Sequence, residues 1–477
     1  MGRASVYYTG VTKYVPEKCW NGFTLIPGRG YGPMIIDMNG KVHHLWRNLQ
    51  GEPNKIIKGG YVVSSRGVRD KAISHQDRID LVVCDYDGKV VWEFDHGEFC
   101  EDEGREPRWM LRQHHDYQLE GNPVGYYTPE QETSIDFNKV LILTHRDVLK
   151  EKISPQLLED DRLIEIDREG NLLWEWNCAD HFNEFNFTEI QKNAIFRNPN
   201  TVDSGPHKQG DLFHINTASY VGPNKWYDAG DERFHPDNII MDSREASIIF
   251  IVSHKTKKIV WQIGPDYTSS RALRMMGTII GPHNAHIIPR GLPGEGNLLV
   301  FDNGGWSGYG VPDQVSKTGN LINRRDYSRV LEIDPVTFDV VWEFDPSKLG
   351  HKTVFNAHYF YSPLVSNAQR LPNGNTMITE GVNGRVLEVT ADDEVVWEYT
   401  SPYFDSLGNN MIFRAYRLPY DYVPQASHSE EKTVTPPDVS KLRLENADSG
   451  LISNDIISDT EGTWEFAKSD SFCVEKI

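Results

Sequence analysis

The chain has 477 residues, 38% hydrophobic and 11% aromatic, enough apolar material for a large core. Its 69 Asp and Glu outnumber 49 Lys and Arg, a net charge of −20, which argues against nucleic acid or an anionic membrane surface as a partner. No run approaches the roughly 18 apolar residues of a membrane span, and five scattered cysteines without a CxxC pair argue against a disulfide framework or a zinc knuckle.

From the N-terminus, MGRASVYYTGVTKYVPEKCW lacks the apolar stretch of an export signal, so the expectation is a soluble cytoplasmic protein. One phrase then recurs: a turn, two β-branched residues, Trp, and an acid or aromatic. Its copies end at Trp46, Trp92, Trp174, Trp261, Trp342 and Trp397. Each is short and strand-like. Four follow a strand that ends at a tight Asp- or Thr-led turn, as in LVVCDYDG and RVLEIDPVT, which makes a hairpin. Upstream of the hairpins lie six further strands. They begin near Asn21 (NGFTLIPG), Asn54, His114, His214, His283 and Asn367.

Six units of four strands, with a recurrent aromatic, predict an all-β fold: a six-bladed β-propeller over residues 1–423. The Trp spacing is uneven, so long loop insertions interrupt the frame. Short helices are expected within Ser154–Glu159 and Phe187–Ala194. NNMIFRAYRLPYDY, residues 409–422, is expected to add a strand to the first blade and close the ring. Residues 424–477 change to Ser, Glu, Asp, Lys and Thr, and read as an acidic, poorly ordered tail in which TWEF near Trp464 is a possible docking segment.

In a propeller the inner strand of every blade lines one channel. Counting six residues back from the turn after each inner strand gives Asn21, Asn216, His283 and Ser366, with His114 or His115 where the turn is indistinct. His214 shares a strand face with Asn216. Alternation gives His286 the opposite face from His283 and lets only one of His114 and His115 point inward, unless a bulge intervenes. His358 lies in an insertion and is a candidate cap. Arg244 offers a forked guanidinium for a tetrahedral oxyanion. Several imidazoles, one carboxamide and few acids suit an anion or a transition metal. A single His in an apolar strand is more often a hydrogen-bonded core residue; the shared position is what favours a site. The Trp residues read as blade packing, and Asp302-Asn303-Gly304-Gly305 as a turn.

Over residues 15–423 the chain resembles the arylsulfotransferase family, the aryl-sulfate-dependent enzymes that use no nucleotide sulfate donor. The resemblance rests on PEKCWNGFTLI, HHD at His114–Asp116, HIN at His214–Asn216, PHNAHIIPRGLPGEGNLLVFDNGG, SRVLEIDP, AQRLPNGNTMITEG and FRAYRLPYDY, in that order. It implies a six-bladed propeller and a histidine that takes a sulfuryl group from an aryl sulfate. By motif, that nucleophile falls on His283, with His115, His214, Asn216 and Arg244 around the sulfuryl oxygens. The implied partner is a small aromatic or sulfated substrate, with no cofactor. Characterised members are exported, whereas this chain shows no signal. Two other readings stay open: a metal-dependent lyase, hydrolase or oxygenase with a transition metal on His115, His214 and His283, or a ligand-binding propeller without catalysis.

Overall fold

A strand rich in β-branched residues on both faces needs cover on both sides. The computed structural model describes residues 7–28, 30–69, 76–102, 104–202, 209–352, 356–405, 408–436, 446–448, 450 and 452–462. There the cover comes from a ring: six antiparallel sheets stand around one axis, each shielding its neighbours.

From the axis outward, the second blade runs Lys55–Ile57, Tyr61–Ser64, Leu81–Cys84 and Val90–Phe94. The third runs Gln113–Leu119, Lys139–Leu149, Leu157–Asp167 and Leu172–Asn177. The fourth begins on Ile215–Tyr220, the fifth on His283–Ile287 and the sixth on Asn367–Arg370. Apolar layers fill the gaps between blades. Leu141 and Leu163 of the third blade meet Ile239 and Met241 of the fourth, and Ile240 and Ile249 of the fourth meet Ile287 and Leu298 of the fifth.

The recurrent Trp also joins the blades by hydrogen bonds. Its indole N–H reaches the third turn of the following blade: Trp46 to Asp85 O, Trp92 to Arg168 O, Trp174 to His254 O, Trp261 to Pro335 O, Trp342 to the Asp393 carboxylate and Trp397 to Met38 O, at 2.7–3.0 Å. The sixth bond returns to the first blade. A buried indole needs a partner for its N–H, and here the partner is the neighbouring repeat.

Closure uses both ends of the chain. Tyr416–Leu418 forms the inner strand of the first blade by pairing with Phe23–Gly28, and Gly10–Tyr14 pairs on the outer edge of the sixth. The strand after Asn21 is therefore second from the axis, not first. Asn21 is turned to the periphery, where its amide donates to Pro16 O and Glu431 and accepts from the Tyr14 hydroxyl. The count back from the turn misplaced Asn21 because the closing strand comes from the other end of the sequence.

The insertions are partly as expected. Thr188 and Gln191 form a capping box that starts a helix at Glu189–Arg197, overlapping the predicted Phe187–Ala194. Ser154–Glu159 is not helical. It ends the turn of a long hairpin in which Lys139–Leu149 and Leu157–Asp167 stay paired over eleven residues; Leu158 and Glu159 are buried in that ladder. In the stretch that composition set apart, Val434 pairs with Tyr14, and Ile457–Asp459 lies parallel to Val42–Arg47. Trp464 lies outside the described residues. Cys19, Cys84, Cys100 and Cys178 are free thiols, and Cys473 is not among the described residues. No helix among the described residues is long and apolar enough to cross a membrane.

Candidate active site

Four successive inner strands open on a residue with left-handed backbone: His115 (φ 52°), His214 (φ 49°), Asn284 (φ 57°) and Ser366 (φ 92°). Outside glycine this conformation costs on the order of 1–3 kcal/mol and clusters where function demands it. In three of these strands the ladder register slips at the same place, between Gln113 and Tyr117, Ile215 and Thr217, and His283 and His286. A bulge breaks the two-residue alternation, so simple parity does not orient these rings: His115 stands against His214, whereas His114 stacks on His145 of the adjacent strand.

His115 faces His214 with ring centroids 4.7 Å apart, and His114 Nδ1 lies 2.9 Å from His115 Nδ1. His214 Nδ1 is 2.5 Å from the Asp211 carboxylate, which fixes its tautomer. His283 Nδ1 donates to Asn303 Oδ1 at 2.8 Å, with Gly281 O at 3.2 Å. Its lone pair therefore sits on Nε2, which accepts the Val365 N–H at 3.1 Å. Asn216 Nδ2 donates to Pro282 O at 3.1 Å, while its Oδ1 is buried without a partner. Arg244 is ion-paired to Glu245 and stands beside His283. Its side chain is 17% exposed, whereas His115, His214 and His283 are at most 5% exposed.

Burial keeps His115 well below the usual imidazole range, and the neighbouring His214, His114 and His283 add to the effect. Burial, then the Arg244 guanidinium, does the same to His283. Both shifts favour the neutral ring, and the formal positive charge beside His283 resides on arginine. That combination attracts an anion while leaving a nitrogen nucleophile unprotonated.

Two expected site residues are committed elsewhere. His286 donates from Nδ1 to Asn284 O at 2.8 Å and accepts the Tyr126 hydroxyl at 2.9 Å on Nε2. Its pKa falls to about 4 through burial; it is a hydrogen-bonded core residue. His358 does not cap the site, because it sits exposed on a short 3-10 turn against Tyr359. Ser366 spends its hydroxyl on Ser362 and Gly381 N–H.

Sequence reasoning missed three groups. Asn303 orients His283, although its segment read as a turn. Arg414, buried in the closing FRAYRL, donates to Asp116 and Asn216 O and helps to hold down the His283 pKa. Asp211 precedes HIN by three residues. A polar residue beside a motif was the available signal for Asp211 and Asn303. Arg414 had only its place just before a closing strand that proved to be innermost.

For a metal, the ligand atoms of His114, His145 and Asp161, and of Asp77, His145 and Glu159, lie within 4.8 Å of one another; these are the groups of that kind among the described residues, and His115, His214 and His283 do not form one. His114 and His145 are stacked at 3.5 Å and 9°, so their in-plane lone pairs run parallel instead of converging. Arg112 already pairs with Asp77 and lies 3.5 Å from Glu159.

The sequence profile of the family described as Arylsulfotransferase (ASST) matches residues 52–405. The chain belongs to the arylsulfotransferase family. No curated protein matches this family member. Among solved structures it is similar to a protein of unknown function from Bacteroides caccae, with 10% identity, 83% of this chain and 99% of that one covered, and a TM-score of 0.43. It is also similar to the Cps50 (Swd1) β-propeller domain of Myceliophteria thermophila (10% identity, coverage 84% and 89%, TM-score 0.36) and to virginiamycin B lyase of Staphylococcus aureus (11%, 74% and 73%, 0.30). All five sequence motifs from HHD to AQRLPNGN fall inside the matched span, as do the axial histidines of this arylsulfotransferase-family chain; Arg414 falls just beyond it.

Proposed function

We propose that the chain transfers a sulfuryl group from an aryl sulfate to a phenol or alcohol through a sulfohistidine at His283. In the first half-reaction the Nε2 lone pair forms an N–S bond, the S–O(aryl) bond breaks, and the phenolate leaves and takes a proton. In the second, the acceptor oxygen attacks sulfur, the N–S bond breaks, and the acceptor proton departs. Val365 N–H holds the Nε2 lone pair at rest, so attack requires that donor to turn away, toward a sulfuryl oxygen. His115, His214 and Arg244 surround that oxygen set, with the carboxamide of Asn216 and the charge of Arg414 behind them. Phe413 lies 5.7 Å from the His115 ring and packs with Leu364 and Met411, an apolar surface for the aryl group.

The observation that carries this reading is the neutral His283 with its tautomer set by Asn303, beside a guanidinium. Mixed with 4-nitrophenyl sulfate, the protein is expected to release nitrophenol and to carry sulfonate on the peptide containing His283, detected by mass spectrometry. His283→Ala is expected to reduce the rate by several orders of magnitude. Binding without turnover in the wild type, or an unchanged rate in the variant, refutes it.

A further inference from the structure

The cluster contains a second line of buried polar groups that the transfer chemistry above does not use. It runs outward from His115. His115 Nδ1 is 2.9 Å from His114 Nδ1, and His114 Nε2 is 3.5 Å from the Asp161 carboxylate. Asp161 Oδ1 accepts the Ile215 N–H at 2.9 Å, whereas Oδ2 has no partner. His114 Nε2 is likewise without a hydrogen bond. Both side chains are 1% exposed. The atom nearest the orphaned His114 Nε2 is Asp161 Oδ1, and a closure of roughly half an ångström would make that hydrogen bond.

We propose that Asp161 stores the proton of the two half-reactions and exchanges it with the substrate oxygens through His114 and His115. This rests on the sulfuryl-transfer reading. At rest, Asp161 Oδ1–H donates to His114 Nε2, His114 Nδ1–H donates to His115 Nδ1, and His115 carries its proton on Nε2. When the S–O(aryl) bond breaks, His115 Nε2–H protonates the leaving phenolate. His115 Nδ1 takes the proton from His114 Nδ1, and His114 Nε2 takes the Asp161 proton. Asp161 ends as a carboxylate and both rings end neutral. Attack by the acceptor reverses each transfer, so the cycle closes with no net proton gained or lost.

The surroundings suit this role. Burial raises the Asp161 acid well above the usual carboxylate range, and the nearby Asp211 and Asp160 carboxyls push the same way. His145, whose pKa is raised to about 9 by Glu159 and Asp77 against the opposing effect of burial, stacks flat on His114. That cation opposes a second charge on His114, which keeps it a neutral conduit, and it supports the carboxylate that Asp161 briefly becomes. His114 and Asp161 act through His115 and touch no substrate.

Asp161→Asn is a close isostere. Its carbonyl can take the place of Oδ1 and still accept Ile215 N–H, but it has no proton to surrender. The test compares phenyl sulfate, whose phenolate needs a proton to leave, with 4-nitrophenyl sulfate, whose phenolate does not. Asp161→Asn is expected to slow phenyl sulfate on the order of 10²-fold more than 4-nitrophenyl sulfate, and His114→Asn to show the same bias. Equal losses on the two esters, in either soluble variant, overturn the proposal. Absence of phenol release by the wild type from both esters refutes instead the sulfuryl-transfer reading on which it rests.

Discussion

At the scale of single residues, the site depends on which nitrogen of each ring is left for chemistry. Asn303 decides this for His283, and Asp211 for His214. Arg244 differs from the rings in being part-exposed and paired with the adjacent Glu245. Arg244→Lys retains the charge opposite Glu245 but loses the planar fork that matches an oxyanion. We expect kcat/KM for an aryl sulfate to fall about 10- to 100-fold, with the thermal midpoint nearly unchanged. An equal fall in stability would place Arg244 in the fold instead of the site. Of these residues, the sequence singled out His283, His214, Asn216, His115 and Arg244, because four lie on or beside repeated strands and Arg244 lies in the strand-like run that follows. Asn303 and Asp211 were not, since an Asn in a DNGG turn or an Asp in the loop before a strand has no strand register to mark it.

At the scale of elements, the left-handed opening of the inner strands does what simple alternation forbids. It lets the neighbouring His114 and His115 meet through their Nδ1 atoms at 2.9 Å. The segment 362–366 completes this by delivering Val365 N–H to His283. Its close approach depends on Gly305, where an added Cβ would come within 2.2 Å of Pro363 O. Gly305→Ala must push that segment back. A loss of about 1–3 kcal/mol in denaturant unfolding is expected, together with a changed rate on aryl sulfates as the Val365 contact shifts. If neither moves, the 362–366 turn does not hold His283. The Trp strands were plain from sequence because turn, β-branched pair and Trp recur in one order. That their indoles bond to the next blade was not, since hydrogen-bond partners 39 or more residues away leave no local pattern.

At the scale of the whole molecule, the ring is held shut by residues that meet only because it closes. Arg417, on the closing strand, is fully buried. Its guanidinium donates to Glu388 of the sixth blade at 3.0 Å, and to Thr24 and Trp20 O of the first at 2.8 and 2.9 Å. Removing one partner of a buried ion pair leaves the other uncompensated. Arg417→Ala is expected to cost roughly 3–5 kcal/mol of stability, read as a lower denaturation midpoint. Loss below about 1 kcal/mol would mean the closure is carried by the strand ladder alone.

The amino-acid order by itself determined the repeat, and with it the number of blades and the axial histidines, because strand periodicity and turn chemistry are local properties. It also carried the motifs that place the chain in its family. Only the tertiary structure decided which strand is innermost in the first blade, which neighbouring histidines share the axis, and which polar groups stand behind them. Those depend on bulges and on contacts between blades far apart in sequence, where a small change in backbone angle turns a side chain from one face to the other.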